Sequence, residues 1–189
     1  MSSGDKKSTT VGFFTVVRNE QQGLFGGYLL VNRNARPIEF HCTAPVKPNR
    51  AQEILYGASL ESYLYGEAIG AVLTAKAATA VDFLCVDVPA ALAVREFVER
   101  PVALVIETDA AGATADADPS RPLFRIDQAH ERGLHRFRLG THDVAVARRY
   151  LADETAVTAK FAEIAEAFDL REPFERIRGA IDEARRGGR

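Results

Sequence analysis

Residues 26–43 read GGYLLVNRNARPIEFHCT. Two strand-like runs, 28–31 (YLLV) and 38–42 (IEFHC), flank the polar turn 32–36 (NRNAR). A connection this short cannot carry a crossover, so the two runs pair antiparallel as a hairpin. Pro37 opens the second strand, a position where a missing N–H is tolerated. That strand also holds the densest group of reactive side chains in the chain: Glu39, His41 and Cys42. Side chains alternate along a strand, so Glu39 and His41 share one face and Cys42 takes the other. With Ile38 and Phe40 beside it, Cys42 reads as a small core residue. Glu39 and His41 are then expected to face away from the core.

Working outward, 11–18 (VGFFTVVR) is aromatic and β-branched and reads as a first strand, followed by a turn over 19–23. Pro45 and Pro48 end the third strand. Asn49 and Gln52 have the spacing of a capping box, which starts a helix near Arg50. Gly57 and Ser59 interrupt that helix. From Leu60, the residues Leu64, Ala68, Ala71, Val72 and Ala75 trace one helical face. Gly66 and Gly70, four apart, let one side of it approach the sheet closely. A short apolar strand over 81–88 precedes a helix over 89–100 with proline in its first turn. A buried-type strand over 101–106 completes a strand–helix–strand unit, which favours parallel pairing.

Residues 108–122 are rich in Ala, Asp, Gly and Pro and read as an exposed loop. A second hairpin is expected from 123–127 and 134–139. After Gly140 the pattern reads as helical. Val144, Ala147, Arg148 and Leu151 suggest one helix; Val157, Phe161, Ile164, Ala165 and Phe168 mark a second. Phe174, Ile177 and Ile181, with Pro173 in the first turn, mark a third, which closes on Arg185 and Arg186.

The expected fold is therefore α/β (α+β): a mixed sheet with three N-terminal antiparallel strands, then α-β-α-β, then a C-terminal helical segment. This order of elements is similar to that of ribonuclease-H-like folds. Fold does not imply function, so the similarity bears on architecture alone. The expected organisation is a disordered tail over 1–10, an α/β core domain over 11–140, and C-terminal helices over 141–189 packed on that core.

Composition narrows the function classes. The chain has 189 residues, 47% hydrophobic and 26% charged, which is ordinary for a globular protein able to bury a sizeable core. A net charge of -2 and a pI near 6.1 give no global attraction to nucleic acid or anionic membranes. Apolar runs fall short of the roughly 18 residues of a membrane span, and the polar N-terminus has no signal-peptide core. Two cysteines about forty residues apart exclude a disulfide framework. A bacterial-type cytoplasmic protein is expected.

The ribonuclease-H analogy makes a chemical demand. Two-metal nucleases need carboxylates converging on paired divalent ions, with an aspartate on the first strand in that topology. Residues 11–18 contain no acid. Glu53 or Glu61 on the first helix and Asp87 after the fourth strand are the remaining candidates. The bland reading places Glu53 and Glu61 on a solvated helix face and Asp87 in the turn before Pro89. For catalysis the candidates are Glu39, His41, Glu53 and Asp87. For binding they are Asn49 and Arg50 at the helix start and Arg136 and Arg138, which share a strand face.

Seven arginines lie between 121 and 149 (Arg121, Arg125, Arg132, Arg136, Arg138, Arg148 and Arg149), against the three acids Asp127, Glu131 and Asp143. This patch is suited to phosphates or an acidic partner, or to protecting an edge strand from aggregation. The segment 129–135 (AHERGLH) spaces its histidines five apart, which does not put them on one helical face. His130, His135 and His142 read as surface residues. Neither a phosphate-binding glycine loop nor a nucleophile elbow is present, and no cofactor or metal is expected. With no complete catalytic set, the reading favours a non-catalytic interaction or assembly module. Its protein partner or second copy would be met by the C-terminal helices. The alternatives are a nucleic-acid-binding or degenerate nuclease protein and a small-molecule enzyme using Glu39 and His41.

Overall fold

The computed structural model describes residues 9–106, 133–164 and 168–187. Seven strands form one mixed sheet in the order β3-β2-β1-β4-β5-β7-β6. The first three, β1 (Thr10–Asn19), β2 (Gly23–Asn32) and β3 (Pro37–Cys42), make an antiparallel meander. β4 (Phe83–Val86) lies parallel to β1, and β5 (Val102–Val105) parallel to β4. β6 (Leu134–Leu139) and β7 (His142–Ala147) form a hairpin, with β7 antiparallel to β5.

The expected turn over 32–36 is built around Asn32. Its side-chain oxygen accepts from the Asn34 and Arg36 amides, at 3.0 and 3.1 Å. Ala35 adopts φ 58°, the left-handed region that disfavours a Cβ.

β1 and β2 are buried on both faces, and alternation sends Phe13 to one core and Phe14 to the other. On the Phe14 face lies the chain between β3 and β4. It runs as α1 (Arg50–Tyr56), a 3-10 turn, α2 (Leu60–Ser62), a π-helical stretch (Tyr63–Ala71) and α3 (Val72–Lys76). Leu64, Ile69 and Leu73 bury against Leu30, Leu84 and Val86 there. On the Phe13 face lie α4 (Ala152–Phe161) and α5 (Glu172–Gly187), burying Val157, Phe174, Ile177 and Ile181. The result is a sheet between two helical layers.

Gly26 and Gly27 serve these two layers in turn. A Cβ on Gly26 would stand 2.1 Å from Ile69 Cγ2; one on Gly27 would stand 2.2 Å from Ile177 Cγ2. The tandem glycines thus let a helix seat directly on β2 from each side. Gly66 and Gly70 do the same where the long helical segment meets the 3-10 helix Pro89–Glu96: their Cβ positions lie 2.7 Å from Ala93 Cβ and Val94 Cγ2.

Several expectations are corrected. The tail reading fails at Thr9 and Thr10, which are buried, and β1 begins at Thr10. The segment 89–100 is a 3-10 helix over Pro89–Glu96 rather than an α-helix. The helix expected from Val144 to Leu151 is strand β7, with Val144, Ala145 and Val146 fully buried and Leu151 52% exposed. Packed between two strands, that run of small and β-branched residues pairs as a strand whatever its helical spacing. Residues 134–139 pair with β7, while 123–127 and the loop over 108–122 lie outside the described residues.

One polar clasp ties the C-terminal half to the sheet. Asp153, 3% exposed, takes the Arg95 guanidinium through both oxygens at 2.7 and 3.2 Å. It also accepts from the Val102 amide at 3.1 Å.

Candidate functional site

Glu39 and His41 come together as the strand pattern requires. His41 Nε2 lies 3.0 Å from Glu39 Oε2. The rest of the carboxylate is occupied: it accepts from the Ala78 amide at 3.0 Å and the Thr79 amide at 2.7 Å. Glu39 therefore staples the chain following α3 to the edge strand. The Thr79 side chain, then His41, then the two amides hold its carboxyl down to about 2. A carboxylate with so low a proton affinity and so many donors is a poor general base.

This geometry inverts the expected faces of β3. Glu39 and His41 are half-buried, with side chains 19% and 28% exposed. Cys42 is exposed, as are Ile38 and Phe40 at 44% and 38%. The alternation is right and its direction is reversed. α5 packs over β1 and β2 and leaves the edge strand bare on that side. On the other side, the backbone amides after α3 need an acceptor, and Glu39 supplies it.

Asn49, Arg50 and Glu53 do not join Glu39 and His41 by any hydrogen bond or ion pair among the described residues. Asn49 Oδ1 accepts from the Gln52 amide at 2.9 Å, and Gln52 Oε1 from the Asn49 amide at 3.0 Å, completing a capping box. Arg50 pairs with Glu53 at 2.9 Å on an open surface. These residues start α1 and pair with one another there.

Asp87 follows β4 with its side chain only 3% exposed, and it pairs with Arg178 of α5, which also bonds Glu175 at 2.7 Å. Glu61 pairs with Arg18 at 3.2 Å. Each of the three acids Glu53, Glu61 and Asp87 thus has an arginine partner on a different part of the molecule. Among the described residues no group of three or more His, Cys, Asp or Glu side chains is placed to hold a metal ion.

Arg136 and Arg138 are exposed on β6, the far edge of the sheet, and Arg138 leans on Asp143 at 3.7 Å. Arg148 bonds the Leu134 carbonyl, and Arg149 pairs with Glu96 while lying over the Tyr150 ring. Arg121, Arg125 and Arg132 fall outside the described residues. His135 pairs with Glu154 at 2.8 Å. His142, expected at the surface, is buried, and its ring accepts from the Leu170 amide at 3.4 Å.

The feature that sequence reasoning missed is the bare apolar surface of α1, a helix that forms where its capping box places it. It buries no residue, and Ile54, Leu55 and Tyr56 stand 66%, 82% and 37% exposed. Tyr56 stacks on Tyr63 with ring centroids 4.0 Å apart, bracing the helix against the next turn. The signal was present: three consecutive apolar residues directly after a capping box cannot all reach one buried stripe.

No family model matches this chain, and no curated protein matches it in sequence. No helix among the described residues is long and apolar enough to cross a membrane.

Proposed function

We propose that the chain is a non-catalytic protein-association module built on a ribonuclease-H-like sheet, with α1 as its contact element. The observation that carries this reading is the solvent exposure of Ile54 and Leu55 on a helix that contributes nothing to the core. Contiguous exposed apolar residues mark interaction surfaces more often than chance. The helix is held in shape by its capping box and by the Gly57 amide, which donates to the Glu53 carbonyl. Those features preserve a helix without burying its side chains. The C-terminal helices support the role less well, because the apolar stripe of α5 lies in the chain's own core.

The ribonuclease-H-like part of the reading is supported by the strand order 3-2-1-4-5, with β1 and β4 parallel and the first three strands a meander. The nuclease part is not supported in the same way, since β1 carries no aspartate or glutamate and the other acids are engaged with arginines. A second reading, nucleic-acid binding, rests on exposed Arg136 and Arg138 along one edge strand.

Size-exclusion chromatography with light scattering, run beside a pull-down, tests the first reading. Association that is lost in Leu55→Asp while the fold persists supports it. A strict monomer that captures no partner overturns it. An electrophoretic shift assay across salt tests the second, and no binding at low salt removes it, because phosphate contacts are strongest there.

A further inference from the structure

Beside the start of β4, a cleft of about 310 Å³ opens between the end of α3, the chain over 77–81 and the segment before β5. This lies at the small end of the range for ligand sites. Ala75, Phe97 and Val98 give it apolar walls. Four polar residues line it: Tyr28 from the sheet, Thr74 of α3, whose hydroxyl donates to the Gly70 and Ala71 carbonyls, Thr79 from the loop pinned by Glu39, and Arg100 at the rim.

Tyr28 sets this cleft apart from an ordinary surface dent. It is 2% exposed, and it crosses the sheet over Gly12, where a Cβ would come within 2.7 Å of its hydroxyl oxygen. Its hydroxyl makes no hydrogen bond among the described residues. Tyr28 lines the cleft, so its hydroxyl is free to donate to an acceptor that enters there. Arg100 likewise makes no ion pair among the described residues and is exposed. Burial and the nearby Glu39 carboxylate push the Tyr28 phenol up, so it stays a donor at neutral pH. The same carboxylate disfavours a second negative charge at the phenol. An anionic group therefore belongs at Arg100, and an uncharged acceptor at Tyr28.

We propose that this cleft binds a small aliphatic oxo-carboxylate, its carboxylate on Arg100 and its neutral carbonyl accepting from the Tyr28 hydroxyl. The apolar walls take the methylene chain between the two groups. Thr79 sits on the loop that Glu39 anchors, so the staple keeps the cleft in shape. The site is independent of α1 and of any association through it.

Ligand-observed NMR titration with 4-oxopentanoate through 7-oxooctanoate tests the assignment. Each is compared with its methyl ester, which lacks the charge, and with the plain carboxylate, which lacks the carbonyl. One member of the series is expected to bind, with the ester and the plain acid each weaker by about fivefold or more. Arg100→Ala should abolish the preference for acid over ester. Tyr28→Phe should abolish the preference for the oxo acid over the plain acid. A thermal melt checks each fold; if Tyr28→Phe does not fold, Arg100→Ala and the wild-type comparisons decide. Absence of binding below roughly 10 mM, or affinities indifferent to the ester and to Arg100→Ala, overturns the proposal and leaves only water in the cleft.

Discussion

Helices α1 and α5 make opposite use of their apolar residues. α5 carries Phe174, Ile177 and Ile181 on one stripe and spends all three on the sheet. α1 carries Ile54, Leu55 and Tyr56 and buries none of them. The difference lies in what lies beneath each helix. Gly27 gives α5 a flat seat on β2, while the 3-10 turn at Gly57–Ser59 separates α1 from the segment that Gly26, Gly66 and Gly70 bring into contact. One helix is stable because it is packed; the other depends on its ends. Such a contrast separates stability from availability, and substitutions can pull the two apart.

The largest effect should come from unseating α5. Ile177→Ala is expected to cost about 3 kcal/mol in chemical denaturation, from lost burial and the cavity left behind. Gly27→Val, approaching the same contact from the sheet, should cost about 2 kcal/mol through overpacking. If either leaves the transition unmoved, α5 is not the packed partner in the comparison. Asn49→Ala removes the capping box and should cost about 1 kcal/mol, loosening α1 while leaving α5 in place. Amide hydrogen exchange would show the loss confined to 50–56.

The Glu39 staple offers a pH-resolved test of the ground beside both helices. Its carboxyl is held at about 2 in the folded chain against an ordinary 4.5. Its stabilisation is thus complete above 4.5 and drains as the pH falls towards 2. Glu39→Gln should flatten that part of the acid limb and leave the neutral and alkaline limbs parallel to wild type. Unchanged acid curvature would show that the staple contributes nothing. The smallest stability effect belongs to Leu55→Ser, expected within about 0.5 kcal/mol of wild type, yet it should reduce association measured by light scattering. A large loss of stability there would mean that α1 is packed after all.

Much of the architecture can be read locally. The polar turn at Asn32, the capping box at Asn49 and the proline-led α5 each depend on neighbours a few residues away, and each forms where expected. What fails depends on distant elements. The alternation of β3 separates Glu39 and His41 from Cys42 correctly, but an edge strand has no intrinsic inside. Only the placement of α5 and of the loop after α3 decides which face is covered. Val144, Ala147, Arg148 and Leu151 follow a helical spacing, yet the run 142–147 pairs with β5 on one side and β6 on the other and so forms a strand. The tandem glycines at 26 and 27 look like loop chemistry until helices are seen on both sides. At the candidate sites, residue types were legible and their partners were not. Glu39 was singled out, but the amides of Ala78 and Thr79, which occupy it, are invisible in a side-chain alphabet.

The clasp between Arg95 and Asp153 has a consequence for the order of assembly. Asp153 binds a guanidinium 58 residues away and an amide 51 residues away, so its partners exist only once the β4–β5 crossover is in place. Closing so long a loop early is entropically unfavourable. The clasp is therefore a late-forming latch. It slows departure from the native state rather than hastening arrival, and so lengthens the lifetime of the folded chain.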